Sequence, residues 1–412
     1  MPERVVITGV GAVSPLGLTA SESWENALEG VSGAGPITAF DASGYQVRIA
    51  CEVKGFKPEN YMEAREARRR DRFTQLAAAA AQEAIQQSGL EVTPANAGRI
   101  AVIVSSAIGG LKSLQDGMFT LKDEGPRRLS PFLIPMLMSN GAAGMLAIDY
   151  GIKGPCFSVA SACASGADGI GTSWMLLRSG VVDVALAGAS EATITELGVG
   201  AFDRLGAMSR RNDDYSMTPQ PFDRERDGLV MGEGAGILVL ETESHARKRG
   251  AEILAELAGY ASTADAYHIT APAEDGAGGA MAMRLAMDVA EVNPGDVDYI
   301  NAHGTATPLN DLSETRAIKA AFGDLAYNIP VSSTKSMTGH MMGATGALEA
   351  IFCVQVVRHD RIPPTMHYQT PDPECDLDYV PNQAREKKVD VVLSNAFGFG
   401  GHNAVLVVKK YR

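Results

Sequence analysis

Residues 154–171 read GPCFSVASACASGADGIG, and this stretch decides the fold class because an apolar strand gives way there to a helix. Downstream, apolar side chains recur at Ala167, Ile170, Trp174 and Leu177, the spacing of one helix face. Arg178 followed by Gly180 supplies a C-terminal stop. Cys163 is therefore expected to open the helix, where unpaired N–H groups and the positive end of the dipole favour a thiolate. Such settings lower a cysteine pKa from ~8.5 to roughly 3.5–7.5. Cys51, Cys156, Cys353 and Cys375 have no comparable strand-to-helix setting.

Outward from this junction, strands and helices alternate. The pattern predicts strand Val5–Val13, helix Asp71–Gln87, strand Ile100–Ser105, the helix after Cys163 and strand Val182–Ala187. The order then recurs. Strand Glu252–Ala261, helix Gly278–Val289, strand Val297–Asn301 and a helix from about Asp311 are followed by strand Pro330–Ser333, a helix from about Ala344, and strands Val389–Ser394 and Asn403–Lys409. The chain reads as an α/β protein of two similar halves, 1–250 and 251–412, with Ser244–Gly250 as the crossing.

Composition narrows the function. A chain of 412 residues with 45% hydrophobic content buries a large core without disulfide or metal staples. Five cysteines without CxxC spacing point to reduced thiols and a cytosol-like compartment. No apolar run approaches the ~18 residues of a membrane span, and the first residues enter a strand rather than a signal peptide. The 36 basic against 49 acidic side chains give a net charge of −13, which argues against nucleic acid as the partner. Basic residues are nevertheless clustered, at Arg65, Arg68, Arg69, Arg70 and Arg72 and again at Arg204, Arg210 and Arg211, and such a patch steers acidic partners. None of the glycine-rich segments has dinucleotide or Walker spacing.

Two further segments carry chemistry. Asn301-Ala-His303-Gly-Thr305-Ala-Thr307 and Lys335-Ser-Met-Thr-Gly-His340 each place a histidine in a loop of small residues, and His303 directly follows an apolar strand. No HExxH or short Cys/His spacing suggests zinc.

With these stand Pro221-Phe-Asp-Arg-Glu-Arg-Asp-Gly-Leu-Val-Met-Gly-Glu-Gly-Ala235 and Asn395-Ala-Phe-Gly-Phe399-Gly-Gly401. Together, from Val5 to Val408, the motifs resemble the β-ketoacyl-[acyl carrier protein] synthases of the thiolase-like superfamily, the elongating type II synthases most of all. The resemblance implies duplicated halves in a five-layered α-β-α-β-α arrangement, a homodimer, and decarboxylative condensation of malonyl-carrier with a cysteine-bound acyl group in fatty acid biosynthesis. It implies that Cys163 is the nucleophile, that His303 and His340 stabilise the enolate, that Lys335, with Glu349 as its candidate partner, orients His340, and that the amides of Cys163 and Phe399 bind the oxyanion. Thr270, Thr305 and Thr307 suit a phosphopantetheine arm, and Phe399 is expected to gate the acyl chain. Ile108, Phe202, Met208, Phe399 and the run Phe132–Leu137 are candidate walls of an acyl tunnel, and Arg65, Arg68, Arg69 and Arg204 candidate docking residues for an acidic acyl carrier protein. No cofactor is required, although the resemblance hints at a monovalent cation near Asn301, Glu349 and Asn395. The rival readings are a type II polyketide ketosynthase, an initiating synthase using coenzyme A donors, and a non-catalytic chain-length partner subunit. The presence of Cys163, His303 and His340 argues against the last.

Overall fold

The computed structural model describes residues 3–412. Its main elements are β1 (Val5–Val13), α1 (Arg72–Ser88), β2 (Ile100–Ser105), α2 (Gly141–Tyr150), β3 (Cys156–Phe157), α3 (Ser165–Arg178), β4 (Val184–Glu191) and β5 (Gly234–Thr242). They continue as β6 (Ala255–Ala264), α4 (Ala277–Val289), β7 (Tyr299–Asn301), α5 (Pro308–Phe322), β8 (Val331–Ser332), α6 (Thr345–His359), β9 (Val391–Gly398) and β10 (His402–Lys409). The strand order is β3-β2-β4-β5-β1 in the first five and β8-β7-β9-β10-β6 in the second five.

Strand directions recur with the order. In each set the first strand is antiparallel to the fifth and the fifth to the fourth, whereas the fourth, second and third run parallel. The two sheets join edge to edge through β1 and β6, where Val6 and Ile7 pair with Glu256 and Ala255.

Packing follows from which faces are apolar. In α6 every residue from Thr345 to Val357 is buried, so this helix has no solvent face and must lie in the interior. It packs beside α3, and Ala167, Ile170, Trp174 and Leu177 join Leu348, Ile351 and Phe352 in one core between the sheets. Helices α1 and α2 cover the outer face of the first sheet, and α4 and α5 that of the second. The result is the expected five-layered α-β-α-β-α arrangement. Close approach of α1 to β1 requires glycine: a Cβ at Gly11 would stand 2.0 Å from Ala80 O, and one at Gly9 2.2 Å from Ala84 O.

Two local expectations change. The helix expected at Cys163 begins at Ser165, because Ala162 turns the chain with φ 51° and delays the first helical residues. The strand before it is only Cys156–Phe157, and its side chains are exposed at the open end of the sheet. Asp71, expected as the first helical residue, instead caps α1, accepting from Phe73 N at 3.2 Å. Among the described residues no helix is long and apolar enough to cross a membrane.

Candidate active site

The turn that presents Cys163 is held from three sides. Ser165 Oγ accepts from Ser161 N at 2.9 Å and donates to Ala162 O at 2.7 Å. Ser161 Oγ donates to the Asp168 carboxylate, which also accepts the Tyr260 hydroxyl at 2.7 Å from β6. Gly398, at the end of β9, lies so close that a Cβ there would stand 2.8 Å from Ser161 O. A left-handed alanine is strained by itself and persists because these contacts over-determine it. Asp168 and Tyr260 were not singled out in the sequence, though a carboxylate in the first turn of an otherwise apolar helix is a signal that a buried partner waits.

The thiol behaves differently from the expectation. Burial pushes Cys163 up to about 11, while the backbone N–H groups of Phe399 and Cys163 and the Lys335 charge favour the thiolate. Desolvation outweighs the helix start because the residue is 8% exposed and two positions short of the first helical residue. In the absence of substrate, the rate of Cys163 alkylation should therefore climb about tenfold per pH unit above neutrality. A plateau near the ordinary thiol value of ~8.5 would contradict this.

His303 follows β7, and its backbone N–H and that of Gly304 donate to the buried Glu314 carboxylate at 2.8 and 2.7 Å. Its Nδ1 is buried without a hydrogen-bond partner. His340 donates its backbone N–H to Val230 O at 2.7 Å, and its Nδ1 lies 3.1 Å from Thr345 Oγ1 at the start of α6. The two rings stand edge to face, 5.4 Å between centroids and 86° between planes. Burial first, and then the Lys335 charge, hold both well below the usual histidine range. Neutral imidazoles have one N–H to give and one lone pair to receive a proton.

Lys335 Nζ meets Glu349 Oε1 at 2.6 Å, each side chain being 1% exposed. Burial raises the Glu349 carboxyl to about 7 against the opposing pull of Lys335. Asn301 Oδ1 and Asn395 Oδ1 are buried without partners. These amide oxygens, with the Glu349 carboxylate, fit the all-oxygen ligation a hard monovalent cation takes.

A cavity of about 330 Å³ brings Cys163, His303 and His340 together, with Thr270, Thr305 and Thr307 on the same wall system. Thr305 and Thr307 place their hydroxyls 3.0 Å apart, and His268 Nδ1 accepts from Thr270 N at 3.1 Å. Phe202 and Phe399 also line it, stacked 6.4 Å apart at 19°. The glycines after Phe399 both take positive φ, 86° and 74°.

Other expected walls lie elsewhere. Ile108 is 37% exposed and does not line this cavity, its loop being tied back to the Glu191 carboxylate through Ala107 N and Ile108 N. Met208 is buried in a separate cluster beneath the cavity floor. Phe132 and Ile134 are exposed, as are Met118, Phe119, Met138, Ile148 and Phe157. Of the basic cluster, Arg70 and Arg72 turn inward to Asp149 and Glu233, both at 2.6 Å. Arg65, Arg68 and Arg204 are exposed, Arg69 pairs with Glu66 at 3.2 Å, and Arg204 adjoins Leu205 at the cavity mouth.

The sequence model for "Beta-ketoacyl synthase, N-terminal domain" matches residues 2–246, and that for the C-terminal domain of the same family matches 254–369. The chain is 50% identical over 410 residues to the 3-oxoacyl-[acyl-carrier-protein] synthase 2 of Synechocystis sp., covering 100% of this chain and 99% of that protein. It is 50% identical over 409 residues to the enzyme of the same name from Staphylococcus aureus, covering 99% of each. Among solved structures, a type II polyketide ketosynthase bound to a hexaketide and in complex with its acyl-carrier protein superposes with a TM-score of 0.92 at 35% identity, and a β-ketoacyl synthase from Burkholderia phymatum with 0.92 at 34%, each covering 100% of both chains.

Proposed function

Because the chain belongs to the β-ketoacyl synthase family, an acyltransferase that elongates acyl chains by condensation in fatty acid biosynthesis, we propose that Cys163, His303 and His340 carry that reaction on carrier-bound thioesters in the cytoplasm. The observation that supports it most is one cavity holding a buried thiol, two amides facing its sulfur and two neutral imidazoles.

Each step follows from those groups. The Cys163 sulfur attacks the acyl-carrier thioester, its proton passing to a neutral imidazole and on to the departing carrier thiol. The amides of Cys163 and Phe399 bind the oxyanion of the tetrahedral intermediate, and losing one such donor typically costs about 2.7–4 kcal/mol of activation free energy. Malonyl-carrier then loses CO₂, and N–H groups of His303 and His340 stabilise the enolate oxygen. The enolate carbon attacks the acyl-cysteine, the carbon–sulfur bond breaks, and a β-ketoacyl chain two carbons longer leaves on the carrier. Lys335, paired to Glu349, orients His340 and keeps both imidazoles neutral. A monovalent cation, when bound, would be held by Asn301, Glu349 and Asn395 and would fix the local field. Thr270, Thr305 and Thr307 take the pantetheine amides, and Phe399 opens over the acyl chain. In this reading the halves 1–250 and 251–412 supply the cysteine and the histidines respectively, and no further cofactor is needed.

A second copy of this chain is the proposed cover for these exposed apolar side chains, Phe157 of β3 included, with Ile108 and Phe132 joining the acyl wall across the interface. Arg65, Arg68, Arg69 and Arg204 are the proposed contacts for an acidic acyl carrier protein. Arg68→Glu or Arg204→Glu should raise KM for carrier-bound donors several-fold and leave small thioester analogues nearly unaffected, since rim charges act on encounter. Equal effects on both donors would exclude docking there. Intact-mass spectrometry with acyl-carriers of graded length tests the whole reading: an acyl adduct on Cys163 is expected, and an unmodified chain would overturn it. Polyketide ketosynthases share the architecture, but the 50% identity to elongation synthases against 35% to the polyketide enzyme ranks fatty acyl elongation first.

A further inference from the structure

Glu191 ends β4 with its side chain fully buried, and no step above uses it. Its carboxylate faces no cation but collects four donors. Oε1 accepts from Ser106 Oγ at 2.7 Å and Ile108 N at 3.3 Å, and Oε2 from Ala107 N at 2.7 Å and Gly343 N at 3.1 Å. Three of these belong to the loop after β2, and the fourth to the turn between His340 and α6. Buried carboxylates persist when every lone pair is used in this way, and charge-assisted bonds are the strong ones.

The two segments also touch through their backbones. A Cβ at Gly343 would stand 2.6 Å from Ala107 N and 2.7 Å from Glu191 Oε2, so the contact admits no side chain. On one side Ser106 Oγ goes on to accept Gly109 N at 2.8 Å; on the other, two residues past Gly343, Thr345 Oγ1 reaches the His340 ring. A continuous chain of bonds thus runs from the Ile108 loop through one carboxylate to a proposed catalytic imidazole.

We propose that Glu191 is a positioning residue that locks the Ile108 loop to the His340 turn, so that displacement on the acyl side is transmitted to the malonyl side. The assignment of those two sides rests on the function proposed above; the mechanical link does not. Ser106→Ala in the full-length protein removes one donor from the Ile108 loop and leaves the carboxylate in place. Amide hydrogen exchange should then quicken about threefold or more not only at 106–110 but also at 341–345, as local opening free energy falls in both. Glu191→Gln should have the larger effect at both segments, because its NH₂ must face one pair of donors. It should also speed Cys163 alkylation at fixed pH, since the Glu191 charge opposes the thiolate. A response to Ser106→Ala confined to 106–110 would overturn the link, and this variant decides alone if Glu191→Gln does not fold. A wild-type chain that forms no acyl adduct would instead remove the functional reading and leave the exchange result standing.

Discussion

Cys163→Ser should lower condensation by at least roughly 10⁴-fold, the scale on which losing an enzyme's nucleophile is felt. A hydroxyl in the same cavity is far harder to ionise than a thiol already raised to about 11 by burial, so the exchange cannot be conservative. Decarboxylation of malonyl-carrier should survive in this variant, because the imidazoles proposed to stabilise the enolate come from the loops after β7 and β8 and not from the Cys163 turn. Parallel loss of both activities would mean that the cysteine maintains the site rather than attacks. Single-turnover assays of acylation and of CO₂ release, run on the same preparation, separate the two.

Lys335→Met should destabilise the fold by about 3–5 kcal/mol, the penalty for removing one partner of a buried ion pair. The loss depends on pH. With its cation gone, Glu349 has a folded-state pKa still further above the unfolded value, so the native state binds the extra proton and stability drains away as pH rises through that folded pKa. The deficit relative to wild type should accordingly be smaller near pH 5 than near pH 8. Lys335→Met combined with Glu349→Leu should recover most of it, as apolar replacements of buried pairs often do. Denaturant titrations at both pH values measure this, and a deficit of under about 1 kcal/mol throughout would show that the pair carries little.

The architecture was legible because both periodicities are strong. The alternating runs predicted eight of the ten strands to within three residues at their start, but missed β5 (Gly234–Thr242) and set no bounds for β3; helix α6, expected only as a helix from about Ala344, is buried from Thr345 to Val357 although it carries Glu349 and Gln355. The chemistry-bearing residues were legible through the combination of their motifs, which resembles one family; singly, a free cysteine or a lone histidine is more often structural. What escaped was anything set by three-dimensional proximity. The helix start at Ser165 and the raised thiol depend on how deeply the Ala162 turn is sunk, which sequence spacing does not encode. Arg70 and Arg72 resembled surface charge until Asp149 and Glu233, far away in sequence, were seen to neutralise them. Glu191 and Glu314 are acceptors for donors from other loops, and no local pattern announces them.

The repeated strand order has a consequence for how the catalyst is apportioned. Ile108 follows the second strand of its set as His303 follows the second of the other; Cys163 lies between a third strand and an interior helix, as His340 does; Glu191 and Gly398, the neighbour of Phe399, terminate the two fourth strands. One scaffold, used twice, therefore delivers matched tips from both sheets: Cys163, His303, His340 and Gly398 line the cavity, while Ile108 and Glu191 lie outside its lining. If the proposed roles hold, the thiol and one of the imidazoles leave equivalent places in two like strand sets, so capture of the acyl group and generation of the carbanion are each open to redesign through a separate loop.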